Sequence, residues 1–383
     1  MADYEKVSNV AASSIEKVNN IAKSSVEKIN GMTTPSGTTT ATYWAIAQDD
    51  RRISHATNAD VLAGNAWTSY DAFSGASGTT PSGGNDHIHI AYGKDAADGD
   101  PRWVASYATN NCELAYTDNL TGGGNWTGIN TDSGGSNLPN RVFALQWGNG
   151  HWIAVGKMGT KSILQSADGA SWTQIDLSGD GTITSTDIYA LASNGSGTWW
   201  FAQENRIYQS TSDGDAGSWS LLHTLLDSSN ADPGNIRALQ YTNNTLMAGV
   251  DANPALVFTA AVSDLTDWSN ETSLTSGGNA FDQQTHVASA AGRVVVVGSQ
   301  KKWTFDISGK QITMDENQAD FSGDNTTHGT LTSVSTDGST WVATCFTGDT
   351  FYSTDGGDTW NAGPTNVASK DALDNAPDVY LPL

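Results

Sequence analysis

Six tryptophans recur in step along the chain: Trp67, Trp126, Trp172, Trp219, Trp268 and Trp360. Successive gaps are 59, 46, 47, 49 and 92 residues, and 92 is twice 46. The last gap therefore holds one unit that lacks the tryptophan. Residues 284–314, HVASAAGRVVVVGSQ followed by KKWTFDISGKQITM, supply it, which makes seven units. A short unit of this kind cannot bury both of its faces alone, so the chain must fold as an array in which each unit packs between two others.

The contents of the unit are visible in residues 141–172, 187–219 and 330–360. Each runs through an apolar strand, a Gly-containing turn, a second strand opening with Trp, a third strand, an Asp-Gly turn and the closing Trp. That order is an antiparallel meander. A four-stranded meander repeating every 40–50 residues is the pattern of a propeller blade. The fold class expected is all-β, a seven-bladed β-propeller over residues 42–383. The first unit opens at Tyr43-Trp44, which aligns with the second strand at Trp152, so its innermost strand is missing. Asp378-Val-Tyr-Leu resembles Asp187-Ile-Tyr-Ala-Leu, so the C-terminal segment is expected to complete the first blade.

A second, shorter period lies upstream. Residues 4–14, 15–25 and 26–32 read YEKVSNVAASS, IEKVNNIAKSS and VEKINGM. On a helix, Tyr4, Ile15 and Val26 join Val7, Val18, Ile29, Val10 and Ile21 in one apolar stripe. Eleven residues in three turns favour a slightly right-handed coiled coil. The expectation is a short α-helical stalk over residues 1–32 that anchors or oligomerises the chain, followed by a linker at 33–41. Two other readings stay open: a helix lying on the chain's own propeller, and a non-helical segment, because Asn, Ser and β-branched residues are numerous.

Composition narrows the partners. Charged residues are only 15% of the chain, Gly numbers 40, and the formal charge is -23. Such a charge repels phosphate backbones and anionic lipid, so neither nucleic acid nor membrane is an expected partner. Cys112 and Cys345 fall in different repeats and read as buried apolar residues rather than a disulfide or metal pair. The N-terminus lacks the apolar core of a secretory signal, so the chain is expected to be made in a host cytoplasm.

Ser353-Thr-Asp355-Gly-Gly357-Asp-Thr-Trp360 resembles the Asp-box hairpin of bacterial neuraminidase repeats, and Ser166-Ala-Asp168-Gly-Ala-Ser-Trp172 is a shortened form. Ser212-Asp213-Gly214 with Trp219, Thr117-Asp118 with Trp126, and Ser263-Asp264 with Trp268 are degenerate forms. The resemblance implies a structural role for these residues, away from any ligand face. It also raises the question of sialidase activity. Sialidases resemble one another in an arginine triad and an early Arg-Ile-Pro, and here neither emerges from Arg51, Arg52, Arg102, Arg141, Arg206, Arg237 and Arg293. Nor can a pair of opposed carboxylates be nominated for a glycan hydrolase. His87 and His89 form an H-x-H on one strand face but lack a third ligand. The chain is therefore read as non-enzymatic. Residues 176–187, DLSGDGTITSTD, match a twelve-residue calcium loop in part, with Asp176, Ser178, Asp180 and Asp187 as candidate ligands. An ordinary turn between blades is the alternative.

The N-terminal runs resemble repeats at the start of virion structural proteins of tailed phages. That resemblance implies a tail, fibre, baseplate or head appendage located in the virion. It would be a homo-oligomer, joined to other virion proteins through residues 1–32, with a propeller that binds a host-surface glycan. An intracellular assembly propeller and a glycan hydrolase are the alternatives. Loops 68–86, 93–101, 128–140, 222–235, 270–283 and 315–329 are the expected contact surfaces.

Overall fold

The computed structural model describes residues 43–47, 52–71, 86–94, 101–108, 112–121, 126–129, 141–157, 162–179, 181–183, 187–252, 254–268, 270–273, 286–298, 301–308, 311–315, 331–345, 348–363 and 378–380, with six residue pairs between 6 and 33. It divides into two compact units, residues 1–41 and residues 42–383.

In the first unit the expected helix is not shown. Its described residues form three antiparallel pairs instead: Lys6–Val7 with Val10–Ala11, Lys17–Val18 with Ile21–Ala22, and Lys28–Ile29 with Met32–Thr33. Two residues separate the partners each time: Ser8-Asn9, Asn19-Asn20 and Asn30-Gly31. The Val and Ile of the described pairs are stiff residues that favour strands. The eleven-residue period fits a pair of short strands and a connection as well as it fits three helical turns, so periodicity alone does not decide between the helical and the non-helical reading.

The second unit is a ring of seven four-stranded antiparallel sheets. Blade 1 consists of Asp378–Tyr380, Tyr43–Ala47, Arg52–Thr57 and Thr68–Asp71. Blades 2 to 7 begin with inner strands Asp86–Lys94, Arg141–Gly148, Ala190–Ser193, Asn235–Thr242, His286–Ala290 and Leu331–Thr336. Each then runs outward through its next three strands in chain order. The inner strands contact one another in cyclic order, and Asp378–Tyr380 stands between those of blades 7 and 2. Its register is antiparallel, Asp378 opposite Ala47 and Tyr380 opposite Ala45. The chain thus seals its own ring.

Packing follows from this arrangement. Seven apolar clusters fill the molecule, and each is shared by two neighbouring blades. Trp152 and Trp172 of blade 3, for example, pack with Val104 and Leu114 of blade 2. A second strand has a blade on either side, so it is buried on both faces. Trp199–Gln203 and Trp341–Cys345 are buried at every position. That explains their unbroken apolar run in place of an alternating one. Cys345 is buried, its thiol donating to the Asp349 carbonyl at 3.4 Å, and the Cys112 side chain lies outside the described residues.

Two departures from the repeat matter later. Blade 1 replaces the third-to-outer turn with a helix, Asn58–Ala63, whose capping box joins Thr57 and Asp60 and whose C-cap is Gly64 at φ 70°. Four inner strands carry a bulge or register shift, between Asp86 and His89, Val142 and Ala144, Ile236 and Ala238, and Leu331 and Ser333.

Candidate binding site

The tight hairpins at the third-to-outer turn are built by their own side chains. In blade 7, Asp355 Oδ1 accepts from the Thr359 N–H at 2.9 Å and the Ser353 hydroxyl at 2.8 Å, and Oδ2 accepts from the Thr359 hydroxyl. The Ser353 hydroxyl oxygen accepts from the Gly357 N–H at 2.9 Å. Trp360 Nε1 donates to the Gly357 carbonyl at 2.9 Å. Blade 3 repeats the plan: Asp168 Oδ1 accepts from Ala170 and Ser171, Ser166 from Gly169, and Trp172 Nε1 donates to Gly169. Burial pushes both carboxyls up. Donors from Ser171, Ala170 and Ser166 outweigh it at Asp168, and donors from Thr359 and Ser353 outweigh it at Asp355, so both titrate below the usual carboxylate range.

Two of the degenerate hairpins differ from the reading of their letters. In blade 4 the hydroxyl that receives the Gly214 N–H belongs to Ser210, not Ser212. Asp213 faces outward to Asn149 Nδ2 at 2.7 Å. In blade 2 the acceptor of the turn is Asn119, whose Oδ1 takes the Thr121 N–H and hydroxyl. Asp118 is freed for Arg102, whose Nε stands 2.6 Å from it. Blade 5 uses Asp264 as expected, accepting from Thr266, with Trp268 Nε1 donating to Leu265.

The arginines have structural partners that sequence could not show. Arg102 of blade 2 also donates to the Asp168 carbonyl in the hairpin of blade 3. Arg293 of blade 6 donates through Nε to the Gly356 carbonyl at 3.0 Å and through Nη2 to Asp358, both in the hairpin of blade 7. Buried Lys302 reaches the Gly357 carbonyl at 2.7 Å. Gln165 of blade 3 reaches the Asp213 carbonyl at 2.8 Å. A long polar side chain from one blade therefore holds the hairpin of the next. Arg206 and Tyr208 both donate to the Thr182 carbonyl.

Thr182 is the seventh residue of the candidate calcium loop, where a backbone carbonyl would ligate. Asp176 spends both oxygens on the Ser178 N–H and hydroxyl, at 2.8 Å each. Asp187 pairs its backbone with Lys157. Asp180 lies outside the described residues, as do the side chains of His87 and Arg141. Among the described residues no three His, Cys, Asp or Glu side chains group for a metal.

The inner strands wall a central channel that holds a cavity of about 260 Å³. His89 of blade 2 and His286 of blade 6 stack across it, ring centroids 5.8 Å apart. Phe143, Tyr189 and Arg237 occupy matching places where the inner strands of blades 3, 4 and 5 begin. Phe143 stacks on Tyr189 at 5.2 Å, and the Arg237 guanidinium lies 3.8 Å from the centre of the Tyr189 ring. Of the arginines with described side chains, Arg237 is the one that lines the channel. The connections between blades enter the ring at this end, and among the segments named as contact surfaces 222–235 is described throughout. There Asp227 accepts from Ser229 and Ala231 in a tight turn.

This architecture defines the chain as a seven-bladed β-propeller. Solved structures share the fold. PorZ, described as an essential bacterial surface component of the type-IX secretion system of Porphyromonas gingivalis, is 12% identical with a TM-score of 0.50; the match covers 86% of this chain and 39% of that one. YCF48 bound to D1 peptide is 16% identical, TM-score 0.49, covering 73% and 82%. The WD40 propeller domain of Doa1 is 11% identical, TM-score 0.49, covering 82% and 87%. No family model matches the chain, and no curated protein does.

Proposed function

We propose that this chain is a non-enzymatic virion protein of a tailed phage, a tail, fibre, baseplate or head appendage whose propeller binds host-surface glycan. The observation that carries the reading is the eleven-residue repeat at Tyr4, Ile15 and Val26 set directly before a propeller. Residues 1–32 attach the chain to other virion proteins and to copies of itself. The hairpins of blades 3 and 7 are Asp-boxes in this reading. Their carboxylates and the surrounding arginines are spent on turns and blade contacts, which supports a scaffold that displays a surface.

Mass spectrometry of purified particles from the phage that encodes the chain tests the first half; absence of its peptides from intact virions would defeat it. A glycan array probed with the full chain tests the second, and a blank array would defeat that half alone. Sedimentation of the full chain against residues 33–383 tests the stalk. A higher oligomer in the full chain is expected, and equal mass per particle in both would remove self-association through residues 1–32.

A further inference from the structure

His55 stands in the third strand of blade 1, where strand alternation turns it toward blade 2 together with Ile53. Only 8% of it is exposed, and its Nε2 has no hydrogen-bond partner among the described residues. The imidazole lies between two phenol rings, Tyr43 at 5.7 Å and Tyr70 at 5.9 Å. Ile90, Trp103, Leu120 and Trp126 of blade 2 close the same seam. A buried polar nitrogen is ordinarily paired, and a buried charge more strictly so. A neutral imidazole tolerates this place; an imidazolium does not. Burial holds His55 below the ordinary imidazole value, and no described carboxylate pulls it back up. The described titratable groups that face it are Tyr43 and Tyr70 from its own blade and Tyr92 across the seam. Burial pushes Tyr70 up to about 12 and Tyr92 up as well, so neither supplies a phenolate to balance a cation.

The seam is also lightly tied. The inner strand of blade 1 pairs at three positions, whereas those of blades 2, 3 and 5 pair at seven. Segments with few backbone pairings open locally at lower cost than the rest of a fold. We propose that His55 is an acid-sensitive latch: protonation of its ring in mildly acidic solution opens the seam between blades 1 and 2 while the other blades stay packed. The proton comes from solvent as the ring is uncovered. The closed form disfavours it, so closure is at full strength above about pH 6.5, the value of a free imidazole. It weakens as pH falls from there toward the lowered value of the closed form. His223, in the outer strand of blade 4, is lowered by burial too, but it is half-buried and stacks on Trp268 at 6.1 Å. It belongs to a different seam and serves as the control.

Amide hydrogen exchange of the full chain tests the latch, read by mass spectrometry at about pH 7.5 and about pH 5.5, either side of the free imidazole value. After correction for intrinsic rates, exchange in Tyr43–Ala47 and Arg52–Thr57 should rise severalfold at the lower pH, up to about tenfold for a one-proton step. Exchange in Asn235–Thr242 of blade 5 should stay level. His55→Phe, which fills the place with an uncharged ring, should abolish the rise. His55→Gln, also uncharged, should do the same and serves should the phenylalanine variant fail to fold. His223→Phe should leave the rise in place. No rise in the parent, or an equal rise in every blade, would overturn the proposal. So would a rise kept in a folded His55 variant, or one lost in His223→Phe.

Discussion

At the scale of single residues, the hairpin carboxylates tie stability to pH. Asp168 and Asp355 titrate lower in the folded chain than in the unfolded one. Their stabilising contribution is complete above about pH 4, the unfolded value, and is lost as pH falls through the depressed folded values. Asp168→Asn and Asp355→Asn should each flatten the acid limb of a melting-temperature profile below about pH 4, and an unchanged slope would count against it. Gly357 gives a second test. It holds φ +88°, and an added Cβ would come within 2.6 Å of Val295 Cγ2 on the neighbouring blade. Gly357→Ala should cost about 2–4 kcal/mol in denaturant unfolding, from overpacking and from backbone strain together. Gly169 and Gly214 repeat the position against Val104 and Ile153. The hairpin glycine is therefore an inter-blade contact as well as a turn residue.

At the scale of elements, the long side chains between blades act as ties. Arg293→Met should lower stability by about 1–3 kcal/mol, since it strips hydrogen bonds from a hairpin carbonyl and two carboxylates. A double-mutant cycle with Asp358→Ala should show coupling, and strict additivity would mean the two groups do not communicate. How legible these elements were depends on what encodes them. The meander strands were readable because their apolar runs and Trp spacing record burial between blades. Ser353, Asp355, Ser166 and Asp168 were readable because the hairpin is made within eight consecutive residues. Ser210 and Asn119 were missed because a neighbouring Ser or Asp fits the letters equally well and only the backbone path decides. Arg102 and Arg293 were unreadable because their partners lie in another blade. Arg237 carries nothing in the letters around it that marks the bulge placing it in the channel wall. The N-terminal pairs mark the limit of periodicity, since one period suits both a helix and paired short strands. Far-UV circular dichroism of a peptide spanning residues 1–33 should lack a helical minimum at 222 nm; a strong one would restore the helix.

At the scale of the whole molecule, closure depends on one short strand. Asp378–Tyr380 fills the inner place of blade 1 and touches the inner strands of blades 7 and 2. Removing residues 376–383 should lower the melting temperature by more than about 5 °C and broaden the transition, because two blades lose a neighbour at once. An unchanged melt would mean the ring holds without that strand.

The same arrangement governs when the molecule can become itself. Tyr43–Ala47 leaves the ribosome more than three hundred residues before the strand it must pair with. Blades 2 to 7 can form one after another as they emerge, each a local event. Blade 1 has to wait, its inner edge unpaired and open to strands of other chains. Crowding of nascent copies on one message is thus a condition that exposes this fold to swapping and aggregation.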